Sequence, residues 1–129
     1  MKCMLIFIAL LLINGSTAIR KKRGRPFWII GHMVNSIHQL REFLRLGANG
    51  IEADVKFLAT GIPWQTYHGA PCDCLRICSA KETIGNYLTY VRKLTTKLDH
   101  LLYYPRFSLL LLDLKTYQIN SWHLKEAGK

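Results

Sequence analysis

The chain has 129 residues, half of them hydrophobic, with 18 Lys and Arg against 8 Asp and Glu for a formal charge of +10. Five of those cations, Lys2, Arg20, Lys21, Lys22 and Arg23, precede Gly24, and without them the excess is +5. That balance favours approach to anionic lipid surfaces, and with no aromatic-interleaved basic stripe or zinc-finger spacing it gives no support to nucleic-acid binding.

Met1-Lys2 precede an apolar run from Cys3 to Ile13 and the small-residue stretch Asn14-Gly15-Ser16-Thr17-Ala18, which together read as a secretory signal peptide over residues 1–18. The run is about half the roughly 20 apolar residues a membrane span needs, so no transmembrane segment is expected; an uncleaved anchor is the alternative. Residues 19–24 carry Arg20-Lys21-Lys22-Arg23, read as a propeptide or solvated tail, with a membrane-attracting patch as a further option. Residues 25–129 are the expected folded domain, in a secreted, extracellular protein.

Along that domain the pattern alternates. A strand is predicted over Phe27 to Gly31. A helix follows over Ser36 to Leu46, where Ile37, Leu40, Phe43 and Leu44 recur at helical spacing between Arg41, Glu42 and Arg45, and Gly47 stops it. Next come a strand over Gly50 to Phe57 and an extended piece over Gln65 to Tyr67. Ile84, Leu88, Val91 and Leu94 predict a second helix over Lys81 to Lys97. Tyr103, Tyr104 and Pro105 read as a packed loop, and Ser108 to Leu112 as a strand buried on both faces. Asn120 to Ala127 reads as a cap and the first turns of a further helix. Such alternation indicates an α/β fold with a parallel sheet.

The polar residues at the strand ends carry the chemistry. Successive strand side chains point to opposite faces, so Glu52 and Asp54 share one face while Ile51, Ala53 and Val55 share the other. Two carboxylates on one face repel unless solvated, protonated or bridged, and a hard divalent cation is the simplest bridge. Magnesium suits oxygen donors, with Asp113 as third ligand, whereas closed zinc sites favour Cys and His. The same pair also suits a plain solvated strand end. His32 and His68 each adjoin a glycine after a strand-like run and fit a proton-transfer pair, since an imidazole pKa near ~6.5 allows either protonation state at neutral pH. His38, His100 and His123 read as surface residues. In an oxidising compartment Cys3 leaves with the signal peptide and Cys72, Cys74 and Cys78 remain, an odd number. No histidine or fourth cysteine stands nearby at a tetrahedral metal spacing.

Gly31-His32-Met33-Val34-Asn35, Gly47-Ala48-Asn49, Ile51-Glu52-Ala53-Asp54-Val55, Thr66-Tyr67-His68-Gly69, Pro71-Cys72-Asp73-Cys74 and Asp113-Leu114-Lys115-Thr116 occur in that order. From about Arg25 to Thr116 the chain resembles the sphingomyelinase D family, the dermonecrotic phospholipase D toxins of spiders and other arachnids, which are similar to glycerophosphodiester phosphodiesterases. The resemblance implies a (β/α)8 TIM barrel, catalytic His32 and His68, magnesium on Glu52, Asp54 and Asp113, and Lys115 facing the substrate phosphate. It also implies a Cys72–Cys78 disulfide and, with the distant partner cysteine missing, a free thiol at Cys74. The activity it implies is expulsion of choline, or ethanolamine, from sphingomyelin and lysophospholipids at a membrane surface, a lipid hydroxyl attacking the phosphate to leave a cyclic phosphate. A full barrel typically takes ~250 residues, so an incomplete, N-terminal portion is expected. The competing expectation is a truncated, inactive secreted protein that binds lipid or a partner. A water-using glycerophosphodiester phosphodiesterase would keep the acids and histidines but not the cysteine loop.

Overall fold

The structure, a computed structural model, describes residues 27–72, 77–98 and 101–128. The expected signal peptide and basic tail, Cys74 and His100 lie outside them. In chain order the elements are β1 (Ile30–Gly31), α1 (Ile37–Arg45), β2 (Gly50–Phe57), β3 (Pro63–Tyr67), β4 (Lys81–Thr83), α2 (Ile84–Thr95) and β5 (Leu109–Lys115). Short 3-10 turns follow at Thr116–Gln118, Ser121–His123 and Glu126–Gly128.

β2 organises a mixed five-stranded sheet. β5 runs parallel to it along one edge, from Gly50↔Leu109 to Lys56↔Lys115. The other edge is shared: β1 pairs parallel with Gly50 and Ile51, and β3 pairs antiparallel with Val55 to Phe57. Between these two partners the edge at Glu52 to Asp54 has no strand beside it among the described residues, and the site is built there.

The helices cover one face. Leu40 and Leu44 of α1 and Tyr87, Val91 and Leu94 of α2 pack on Ile51 and Ala53 to form the main core. Ser36 caps α1, its Oγ accepting from Gln39 N at 3.2 Å, while Gln39 reaches back to accept from Asn35 N at 2.9 Å. Gly47, at φ +100°, then turns the chain out of α1, a conformation that favours glycine. Gly31 answers a different need, since a Cβ there would stand 2.8 Å from the Phe43 ring. Burying these apolar side chains at roughly 1.5–3 kcal/mol each is the main force holding helices to sheet.

Several boundaries differ from the sequence reading. β1 is two residues rather than five because Phe27 and Ile29 are held by a side chain: Asn49 Nδ2 donates to Phe27 O at 3.0 Å and its Oδ1 accepts from Ile29 N at 2.8 Å. Residues 81–83 pair with β3 as β4, so α2 starts at its Thr83 cap rather than at Lys81. The end of the chain forms 3-10 turns without a side-chain cap bond at Asn120, not the start of an α-helix. β5 is not buried on both faces, since Leu111, Leu112 and Leu114 are 42, 40 and 49% exposed. Among the described residues its only strand partner is β2, which leaves its outer edge uncovered.

Candidate functional site

The open face of the sheet carries rungs fixed by register. Glu52 lies beside Leu111, Asp54 beside Asp113 and Lys56 beside Lys115. Alternation along β2 puts Glu52, Asp54 and Lys56 on the face opposite Ile51 and Ala53, so the apolar requirement of the helix side fixes the acids on this one. One oxygen from each of Glu52, Asp54 and Asp113 lies within 4.8 Å of the others. It is the single grouping of three or more such side chains among the described residues that could share a metal ion. An all-oxygen donor set of three carboxylates fits a hard divalent cation.

The strandless stretch of the β2 edge is completed by residues 33–35. Val34 N donates to Glu52 O at 3.0 Å, as a strand neighbour would. Asn35 continues with its side chain: Oδ1 accepts from Asp54 N at 2.8 Å and Nδ2 donates to Asp54 Oδ2 at 2.7 Å. Asp54 is 1% exposed, and such a carboxylate needs partners for its oxygens. Met33, at φ +57° and buried, turns its N–H onto Glu52 Oε2 at 2.7 Å. A left-handed conformation at a non-glycine residue costs about 1–2 kcal/mol, and here it orients a carboxylate.

The segment is held from behind as well. Thr66 Oγ1 donates to Asn35 O at 2.8 Å, and the buried Tyr87 hydroxyl donates to Val34 O at 2.7 Å. Burial, with the Glu52 charge adding, pushes the Tyr87 hydroxyl well above its ordinary range, so it stays a proton donor.

Lys115 joins two of the acids. Its Nζ stands 3.0 Å from Asp54 Oδ1 and also bonds Asp113 Oδ2. The bond to Asp113, and then Asp54, raises its pKa against the opposing effect of burial, so the side chain is a fixed positive charge. His32 follows β1 directly, its Nε2 3.6 Å from Glu52 Oε2 and its side chain 60% exposed. His68 follows β3 on the hairpin. Its Nδ1 lies 2.8 Å from Gly69 O, and because a carbonyl oxygen can only accept, Nδ1 carries the proton and Nε2 of the neutral ring keeps the lone pair.

The disulfide joins Cys72 to Cys78, and Gly69 N donates to Cys78 O at 3.1 Å, so the loop is tied back beside His68. Of the remaining histidines, His38 is exposed on α1 and His123 is half-buried in a terminal turn. The structure thus brings one oxygen from each of Glu52, Asp54 and Asp113 within 4.8 Å of the others, with Lys115 bonded to two of these acids and His32 beside Glu52, and puts His68 at the end of the neighbouring strand. Asn35, Met33 and Tyr87 had no assigned role in the sequence reading. An asparagine three residues after His32 was visible there, but its partner, the Asp54 backbone, was not.

No helix among the described residues is long and apolar enough to cross a membrane. The profile of the dermonecrotic toxin SPH family matches residues 22–129. Relatives include dermonecrotic toxin Hl-PLD1 of Hemiscorpius lepturus, 42% identical over 95% of this chain and 40% of the relative. LarSicTox-alphaIB2bi of Loxosceles arizonica is 47% identical over 81% of this chain and 34% of its own length, and LiSicTox-alphaIA2bi of Loxosceles intermedia is 42% identical over 98% and 44%. The chain therefore spans about two fifths of the relatives it matches. With most of its residues inside that profile and carboxylates that could share a metal on its open face, the chain belongs to the dermonecrotic toxin SPH family.

Proposed function

We propose that the chain is a secreted phospholipase D-type enzyme that cleaves choline or ethanolamine from sphingomyelin and lysophospholipids at a membrane surface by intramolecular transphosphatidylation. The supporting observation is the convergence of Glu52, Asp54 and Asp113, with Lys115 bridging two of them, in a chain of this family. Residues 25–129 are the N-terminal part of a (β/α)8 barrel in this reading, and residues 1–18 are removed on secretion.

Glu52, Asp54 and Asp113 would hold magnesium, which when bound neutralises the phosphate's nonbridging oxygens. The chain's own residues do the rest. Lys115 adds a permanent positive charge next to the phosphate. His68 takes the proton of the attacking lipid hydroxyl at its free Nε2. The new bond forms from that oxygen to phosphorus, the bond from phosphorus to the choline oxygen breaks, and His32 protonates the departing oxygen. Atoms balance without water, giving a cyclic phosphate and free choline. Asn35 and Met33 hold Asp54 and Glu52 so that no carboxylate must reorient as charge develops.

The test is choline release from sphingomyelin vesicles by the purified chain, with magnesium or chelator, beside His32→Ala and His68→Ala. Chelator-sensitive release that both substitutions abolish is the expected result; a linear phosphate product would instead indicate hydrolysis. A second reading, a secreted lipid- or partner-binding protein without turnover, is favoured by the exposed leucines of β5. Vesicle binding by a folded sample that releases no choline would support it over the enzyme.

A further inference from the structure

Lys56 is absent from the scheme above, yet it occupies the rung next to the acids. It pairs with Lys115 two positions beyond Asp54↔Asp113, the next pair on the same face of the sheet. The β2–β3 register shifts between Lys56 and Phe57, an irregularity of the kind that re-aims a side chain. The Lys56 ammonium lies over the Tyr67 ring, 4.8 Å from its centroid, next to His68 in sequence. The two lysines are therefore in different states. Lys115 is shared by Asp54 and Asp113, whereas no carboxylate among the described residues is ion-paired with Lys56. An aromatic face orients a cation without neutralising it.

Charge balance gives this difference a use. Three carboxylates are matched by one divalent cation and Lys115, which leaves no net charge to attract a substrate. A phosphodiester carries one negative charge, and Lys56 supplies one positive charge on the same face. We propose that Lys56 is a substrate-binding residue, the cation that holds the phosphodiester anion between the acidic rung and the His68 hairpin. This rests on the phosphodiester reading of the site. Tyr67 is the positioning residue, holding the ammonium over its ring rather than letting it fold back onto Asp54.

The probe is dimethyl phosphate, a mono-anionic phosphodiester, titrated by 31P NMR into the full chain with magnesium. Loss of one charge-assisted hydrogen bond corresponds to roughly tenfold in affinity. Lys56→Met is expected to weaken binding by about that factor and Lys56→Arg to restore most of it. Lys93→Met, on the exposed side of α2, should leave affinity unchanged and controls for overall charge. Circular dichroism confirms that each variant is folded, and Lys56→Gln replaces Lys56→Met if the latter is not. Equal affinity for wild type and the Lys56 variant overturns the proposal, as does no binding by wild type or an equal loss in Lys93→Met. Choline release separates the two readings. Lys56-dependent binding without release sinks the enzyme and leaves the anion site, whereas release with an unchanged KM in Lys56→Met sinks the anion site and leaves the enzyme.

Discussion

Asn35 completes the edge of β2 with a side-chain amide, and its two bonds to Asp54 satisfy the backbone N–H and one carboxylate oxygen of a buried acid. Asn35→Ala removes the partner of both at a residue that is 1% exposed, and each such buried group left unmet costs about 1–3 kcal/mol. We expect a loss of about 2–4 kcal/mol in urea unfolding together with weaker magnesium binding; a change under about 0.5 kcal/mol would mean that Asp54 is held by Lys115 alone. Tyr87 acts on the same segment through its hydroxyl on Val34 O. Tyr87→Phe should cost about 1 kcal/mol at neutral pH. The folded protein holds the phenol proton more tightly than the unfolded chain does. Its contribution is therefore complete below pH ~10 and is lost as pH rises above that toward the folded value. Alkaline unfolding curves of wild type and Tyr87→Phe should converge above pH ~10, and parallel curves would contradict the assignment.

The β3–β4 hairpin with its disulfide is the element that carries His68, and it differs from the strands bearing the acids in how it is fixed. Glu52, Asp54 and Asp113 stand on strands paired over their length, whereas His68 stands past the end of β3 and depends on the Gly69–Cys78 bond and the Cys72–Cys78 link. Closing so short a loop stabilises by about 2 kcal/mol in the chain-entropy account. Replacing Cys72 and Cys78 together by Ser should cost that much and broaden the His68 ring signals in NMR while leaving magnesium affinity near wild type. Broadening at Glu52 or Asp54 as well would show that hairpin and sheet are one unit. The same contrast explains what the sequence made legible. β2 and α1 were readable because alternation and 3.6-residue spacing are local signals, and the acid pair came with β2. β4 was not, because Lys81-Glu82-Thr83 has no apolar alternation and becomes a strand through its pairing with β3. Nor were Asn35 and Tyr87 readable as supports, since each acts on a backbone group 19 or more positions away.

At the scale of the molecule, a run of leucines reads as a buried strand, yet whether it is buried depends on what lies beyond it, which no local pattern states. β5 presents Leu112 and Leu114 beside Ala53 and Val55 on the helix-covered face and Leu111 on the other, all partly open because its outer edge has no described neighbour. A seven-residue strand with five leucines, its outer edge unpaired among the described residues, is a template for another strand, and a second copy of this chain offers the same edge. The formal charge of +10 opposes that association. Salt screens the repulsion between copies and leaves apolar contact intact, so self-association should rise from roughly 0.05 to 0.5 M salt, the reverse of a charge-driven complex. Sedimentation velocity across that range is the measurement. Leu112→Lys adds a charge in the middle of the edge, a device by which natural sheets discourage such pairing, and should hold the chain monomeric throughout. Association that survives Leu112→Lys, or that falls as salt rises, would assign the contact to another surface.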